Sequence, residues 1–232
     1  LSELPPIDPA PAAPPPAPGL PWEEPSAGLG SILPTSIRFI TSPLAAYKLM
    51  SLTVDLVRPI AYFVMWALIG GIIGQIWSYL LFDSIVGTIQ SFAGPQFEKF
   101  APFVHKPGSI QIIVGLVITP LVALIVLFVW SVLVHLALTL VGGANRGFTA
   151  TLRVVCYAET TQIAVVIPGA GGLIAFVWRL ILEVAGLAQA HETDGWKAAL
   201  AVVLPLLLCC VCIAAGIAAF GAAIAQALQQ MK

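Results

Sequence analysis

Apolar and polar positions divide the chain into zones. Apolar residues run almost unbroken over about 59–82, and similar runs follow at about 112–141, 149–167, 173–190 and 196–227. A hydrocarbon core takes roughly 20 apolar residues to cross as a helix, so these five runs read as transmembrane helices. The run at 112–141 exceeds that length and should tilt or protrude. The run at 149–167 is the most polar. Between the runs lie a link from Asp83 to Ile110, the glycine-rich reversal Pro168-Gly169-Ala170-Gly171-Gly172, and the polar turn His191-Glu192-Thr193-Asp194-Gly195. Gly94-Pro95, Pro102 and Pro107-Gly108 break the link into turns.

Two zones precede the first run. Residues 1–34 are crowded with proline, from Pro5 to Pro34. Proline has no amide donor and a fixed φ, so this segment reads as a polyproline II or disordered arm. It is either a plain linker or a docking arm for an aromatic-lined groove. Residues 35–56 alternate Thr35, Arg38, Thr41, Lys48 and Asp55 with Ile37, Phe39, Leu44, Tyr47 and Leu49, and Pro43 divides them. They read as two short amphipathic helices lying in the membrane interface. The expected fold is therefore an all-α integral membrane protein. About five transmembrane helices over 57–228 form a bundle, with interfacial helices and a Pro-rich arm before it.

Composition agrees. Hydrophobic residues are 59% and charged residues 9% of the chain, against roughly 25% charged in soluble domains. The formal net charge of -1 offers no basic stripe for phosphates, which excludes nucleic acid as a partner. The expected partners are membrane lipids and a protein partner or a second copy. No basic segment followed by a short apolar core opens the sequence, so no cleavable signal peptide is expected.

Ionisable residues within apolar runs are costly, which makes them candidates for function. They are His135 in the second run, Arg153 and Glu159 in the third, and Arg179 and Glu183 in the fourth. Arg179 and Glu183 are four apart and share a helix face. Two arginines and two carboxylates sum to zero, so one cross-helix network is expected, with Tyr157 and Gln162 adding hydrogen bonds. Such a network can hold the helices in register, form a proton-coupled or conducting site, or receive a headgroup or partner.

Other positions carry structural expectations. Gly70 and Gly74 form a G-x-x-x-G pair suited to close helix approach. Pro120 and Pro205 should bend their helices, and Pro168 should turn the chain. Cys156, Cys209, Cys210 and Cys212 lie in apolar runs and read as small hydrophobes. Cys209 and Cys212 have C-x-x-C spacing but no histidine near them in sequence, so no metal is expected. No nucleophile elbow, H-E-x-x-H helix or P-loop is present. The chain is expected to be no enzyme and to need no cofactor.

Five crossings put the termini on opposite sides. With the N-terminus in the cytoplasm, Arg38, Lys48, Arg58, Arg146, Arg153 and Lys197 lie at the inner side, and Lys99, Lys106 and Lys232 lie outside. The positive-inside rule favours that orientation.

The order of these features resembles that of a known family. Pro21-Trp22-Glu23-Glu24 precedes the amphipathic stretch Thr35 to Pro43, the glycine-bearing first run and a long link. Then come His135-Leu136-Ala137-Leu138, Gly142-Gly143, Gly147-Phe148-Thr149-Ala150-Thr151 and Tyr157-Ala158-Glu159. Ile167-Pro168-Gly169, Trp178 and Leu187-Ala188 before His191 complete the series. This string resembles the Yip-domain membrane proteins, specifically their bacterial branch. The resemblance implies five spans and a cytoplasmic N-terminal arm, and for a bacterial member the cytoplasmic (inner) membrane. Eukaryotic members are linked to Rab-type GTPases and often carry Asp-Leu-x-Gly-Pro before the first span. Here Asp55-Leu56-Val57-Arg58-Pro59 has arginine in place of that glycine. The function expected from all of this is a membrane scaffold or adaptor that organises or shapes the membrane or recruits partners. The alternative is a small transporter, channel or lipid-handling subunit using the charged cluster.

Overall fold

A computed structural model of the chain describes residues 19–52, 55–98, 101 and 104–230. The expectations for residues 1–18, Lys99 and Lys232 fall outside the described residues. Among the described residues the regular structure is entirely helical. Two short helices, α1 (Ile32–Thr41) and α2 (Pro43–Leu49), precede the long α3 (Val57–Ala93). After α4 (Pro95–Glu98) come α5 (Ser109–Leu140), α6 (Phe148–Ala158), α7 (Gly171–Ala190) and α8 (Gly195–Gln230). Leu29–Ser31 and Glu159–Val166 are 3-10 helices.

Four helices are long and apolar enough to cross a membrane: Val57–Ala93, Ser109–Leu140, Gly171–Ala190 and, within α8, Gly195–Ala222. Sequence periodicity suggested five. The difference lies at 149–167, which folds as the 11 residues of α6 followed by the 8-residue 3-10 helix. The change of helix type coincides with Glu159-Thr160-Thr161-Gln162, the most polar tetrad of that run. A 3-10 helix has poorer hydrogen-bond geometry than an α-helix, so neighbouring groups must complete its bonding. Here the Trp77 indole N–H of α3 donates to the Val165 carbonyl at 3.0 Å. The Tyr62 hydroxyl donates to Thr160 Oγ1 at 3.0 Å.

α6 is the axis of the bundle. Every residue from Ala150 to Ala158 is buried. Phe63, Leu127, Leu152, Val155 and Cys156 pack on one side of it. Phe39, Tyr47, Tyr62, Val154, Tyr157 and Leu187 pack on the other. The Phe39 ring stacks on Tyr157 with centroids 5.0 Å apart, and Tyr62 meets Tyr157 at 5.1 Å. Long stretches of α3, α5 and α8 expose Ile72, Ile76, Val117, Val129, Leu207 and Val211. In a bilayer that surface faces lipid, so the apolar residues are on the outside by rule rather than by exception.

The Pro-rich zone ends earlier than composition suggested. Residues from Gly19 onward belong to the folded unit: Leu20 is fully buried and Trp22 nearly so. The Trp22 backbone N–H donates to Thr35 Oγ1 at 3.0 Å, and its indole N–H donates to the Arg58 carbonyl at 2.7 Å. Arg58 Nη1 returns a bond to the Trp22 carbonyl at 3.2 Å and another to that of Ala27 at 3.0 Å. Within the zone expected to be a Pro-rich arm, Leu29–Ser31 form a 3-10 helix and α1 begins at Ile32, because side chains such as Trp22 anchor the segment to the bundle in a way proline density does not report.

α1 and α2 each have a buried and an exposed face. Thr35, Ser36, Phe39, Ala46 and Tyr47 face the bundle, while Leu33, Ile37 and Leu44 are exposed. Gly186 of α7 allows α2 to approach, since a Cβ there would sit 2.6 Å from both Tyr47 Cζ and Val154 Cγ1.

Candidate functional site

The ionisable residues within the apolar runs divide into three groups. The first joins the N-terminal segment to α6. Arg153, 2% exposed, donates from Nη1 to Glu23 Oε1 at 2.7 Å, and from Nη2 to the Asp55 carbonyl. The Tyr157 hydroxyl donates to the same Glu23 oxygen at 2.8 Å, and the Ser51 backbone N–H donates to Glu23 Oε2 at 2.7 Å. Position 153 precedes 157 by one helical turn, so α6 directs both donors to one carboxylate.

The second group links the 3-10 helix, α5 and α7. Arg179 donates from Nε to Glu183 Oε1 at 2.9 Å and from Nη1 to Glu159 Oε2. The remaining carboxylate oxygens are bonded too. Trp130 Nε1 of α5 donates to Glu183 Oε2 at 2.9 Å, and Gln162 Nε2 donates to Glu159 Oε1 at 3.0 Å. Glu183 is fully buried and Glu159 is 4% exposed. One guanidinium thus stands between two carboxylates.

The third group lies where the α5–α6 loop meets the α7–α8 turn. Thr151 Oγ1 sits 2.9 Å from His135 Nδ1 and 2.9 Å from His191 Nε2. His191 Nδ1 accepts the Arg146 backbone N–H at 3.1 Å, so it carries no proton. Nε2–H therefore donates to Thr151 Oγ1, so one hydroxyl bridges the two imidazoles. Asn145 Nδ2 donates to the His191 carbonyl at 3.0 Å. Burial, then His135, then Arg146 push the His191 imidazole down to about 4.

The single zero-sum network expected from charge counting is corrected by this arrangement. Arg153 takes its carboxylate from Glu23, a residue 130 positions away. A local reading assigned Glu23 to the arm and so missed it. The partners of His135 were also missed, and His191 had been assigned only to a polar turn. The one usable signal was a carboxylate beside a tryptophan inside the proline run, because a lone Trp-Glu pair there suggests an anchor.

Gly70 and Gly74 do not form one interface. A Cβ on Gly70 would lie 2.6 Å from Gln162 Oε1, while Gly74 has nothing within 4 Å. Pro168 lies in the turn between the 3-10 helix and α7, where Gly169 takes a φ of 74°. Pro120 and Pro205 lie inside α5 and α8. Among the described residues, no three His, Cys, Asp or Glu side chains group as they would to hold a metal ion.

A family model described as Yip1 domain matches residues 37–217. The chain belongs to the Yip1 domain family. No curated protein and no solved structure matches it. The matched region runs from α1 into α8. It therefore takes in Arg153 and the whole Glu159–Arg179–Glu183 group, while Glu23, which completes the first group, precedes it. The Yip1 domain here is a helical membrane unit whose inner charges are bonded to one another.

Proposed function

We propose that this Yip1-domain protein is a non-enzymatic membrane scaffold or adaptor. One observation carries the reading: the charges inside the bundle are engaged with each other, and Arg153 is engaged by Glu23 at the root of the Pro-rich arm. Ion pairs so enclosed hold helices in place. They also give the arm a fixed point of departure from the bundle, which suits presentation of a binding segment to a protein partner or a second copy. The exposed apolar faces of α3, α5 and α8 take lipid as solvent. α1 and α2 lie at the inner interface.

In this reading the chain crosses the membrane five times. The third crossing is α6 continued by the 3-10 helix, roughly 30 Å if collinear. The N-terminal arm lies on the cytoplasmic side of a cytoplasmic (inner) membrane.

Native mass spectrometry of the gently extracted protein, with and without residues 1–18, tests the adaptor role. A bound protein or a defined oligomer should be retained by the full chain and lost on truncation. A monomer in both cases refutes the reading. The transporter or channel alternative requires water at Glu159, and the low exposure of that side chain speaks against it. A Glu159→Cys variant should resist a membrane-impermeant thiol reagent; rapid labelling would favour transport.

A further inference from the structure

α1 and α2 carry positive charge that the rest of the chain leaves unanswered. From Pro25 to Val54 the sequence holds Arg38 and Lys48 and no aspartate or glutamate. Both side chains are exposed. Among the described residues neither joins an ion pair. Of the flanking carboxylates, Glu23 is engaged by Arg153, Asp55 accepts the Val57 N–H, and the exposed Glu24 pairs with neither cation. Arg58, the next cation along the chain, is bonded to the carbonyls of Trp22 and Ala27.

The two cations share their face with aliphatic side chains. On α1 the exposed positions are Leu33, Pro34, Ile37, Arg38 and Thr41, which follow one stripe of a helix. On α2 Leu44, Ala45 and Lys48 repeat that spacing. The stripe borders lipid. Ile40, half-buried beside it, lines an apolar cavity of about 290 Å³ together with Ile163, Ala164, Ile174 and Trp178. Ile174 and Trp178 are exposed on α7, a helix of membrane length. A basic amphipathic surface gains from apolar burial and from attraction to anionic headgroups at once. A phospholipid supplies both, acyl chain for Leu33, Ile37 and Leu44 and phosphate for the cations. A water-borne acidic partner supplies only the charge and would have to displace lipid from the aliphatic residues.

We propose that the outer face of α1 and α2 is a binding surface for anionic phospholipid, with headgroup phosphates at Arg38 and Lys48. A headgroup of net negative charge is preferred, because the ammonium of a zwitterionic headgroup offsets the phosphate charge that the cations read. The inference rests on the interfacial placement of α1 and α2 and is independent of the adaptor role.

The test uses the full chain in a neutral maltoside detergent, titrated with phosphatidylglycerol or with phosphatidylcholine of the same acyl chains and read by native mass spectrometry. Phosphatidylglycerol should be retained more tightly, by about fivefold for each of the two cations. Arg38→Gln and Lys48→Gln change exposed side chains only, so each should leave the thermal midpoint unchanged and remove one such factor. The double variant should lose most of the preference. Equal retention of the two lipids by the unaltered chain, or an undiminished preference in the double variant, overturns the proposal. Inorganic phosphate at matched ionic strength should not displace phosphatidylglycerol; displacement would make the surface a site for free phosphate and overturn the lipid assignment. A photoreactive phosphatidylcholine with its reactive group at headgroup level separates the proposal from the placement it rests on, and in vesicles it should label residues 32–49. Labelling without a phosphatidylglycerol preference overturns the proposal alone, whereas absence of labelling overturns the interfacial placement as well.

Discussion

At the scale of single residues, burial decides which charges matter. Arg153 and Glu23 form a pair that is 2% and 9% exposed. Breaking such a pair from one side strands a charge, which costs about 3–5 kcal/mol. Arg153→Met and Glu23→Leu should each lower the thermal midpoint of the detergent-solubilised protein sharply. The double variant should recover much of that loss. Additive losses in the cycle would mean that the two side chains are not coupled. His191 gives a second residue-scale expectation. Its imidazole is depressed from the ordinary value near 6.5 to about 4, so the unfolded chain binds the proton more readily than the folded one. The stability it contributes is complete above about pH 6.5 and is lost as pH falls toward about 4. The α5–α6 loop and the α7–α8 turn should loosen in that window, as read by amide hydrogen exchange. His191→Gln should flatten the dependence on pH.

At the scale of elements, helix approach is set by particular glycines rather than by the G-x-x-x-G pattern. Gly186 lies against Tyr47 of α2 and Val154 of α6 at distances a Cβ cannot share. Gly186→Ala should destabilise by about 1–3 kcal/mol, the usual cost of overpacking. Gly74→Ala, with open space around it, should be neutral or slightly favourable, since alanine is the better helix former. Chemical denaturation in mixed micelles compares the two, and equal effects would contradict the packing described. The spacing of Gly70 and Gly74 was visible in the sequence, but the identity of the neighbour was not. Gln162 meets Gly70 because the 3-10 helix brings it to α3, and no local pattern announces that change of helix type.

At the scale of the whole molecule, the number of crossings follows from how α6 and the 3-10 helix are counted. If they cross together, single cysteines placed in the 142–147 loop and in the 168–170 turn should react from opposite sides of sealed vesicles. A reporter after Lys232 should then read the opposite side from one before Leu1. Termini on one side would leave four crossings and overturn the five-span topology.

Hydropathy alone determined that the chain is a helical membrane protein and that four apolar runs are helices, but not their ends: α3 continues to Ala93, through the part of the link expected to begin at Asp83. Those signals are local, because a helix in lipid must satisfy its backbone within itself and cover itself with apolar side chains. The ion-pair partners were decided only by the tertiary structure. Glu23 meets Arg153, and His191 meets His135 through Thr151, across sequence separations that no periodicity encodes. The same holds for residues 19–34, which proline density assigned to the arm although they include a 3-10 helix and the start of α1, and although Trp22 and Glu23 are held by bonds to Thr35, Arg58 and Arg153. A buried charge takes whichever partner the packing of several helices brings within hydrogen-bond reach, and that choice belongs to the fold as a whole.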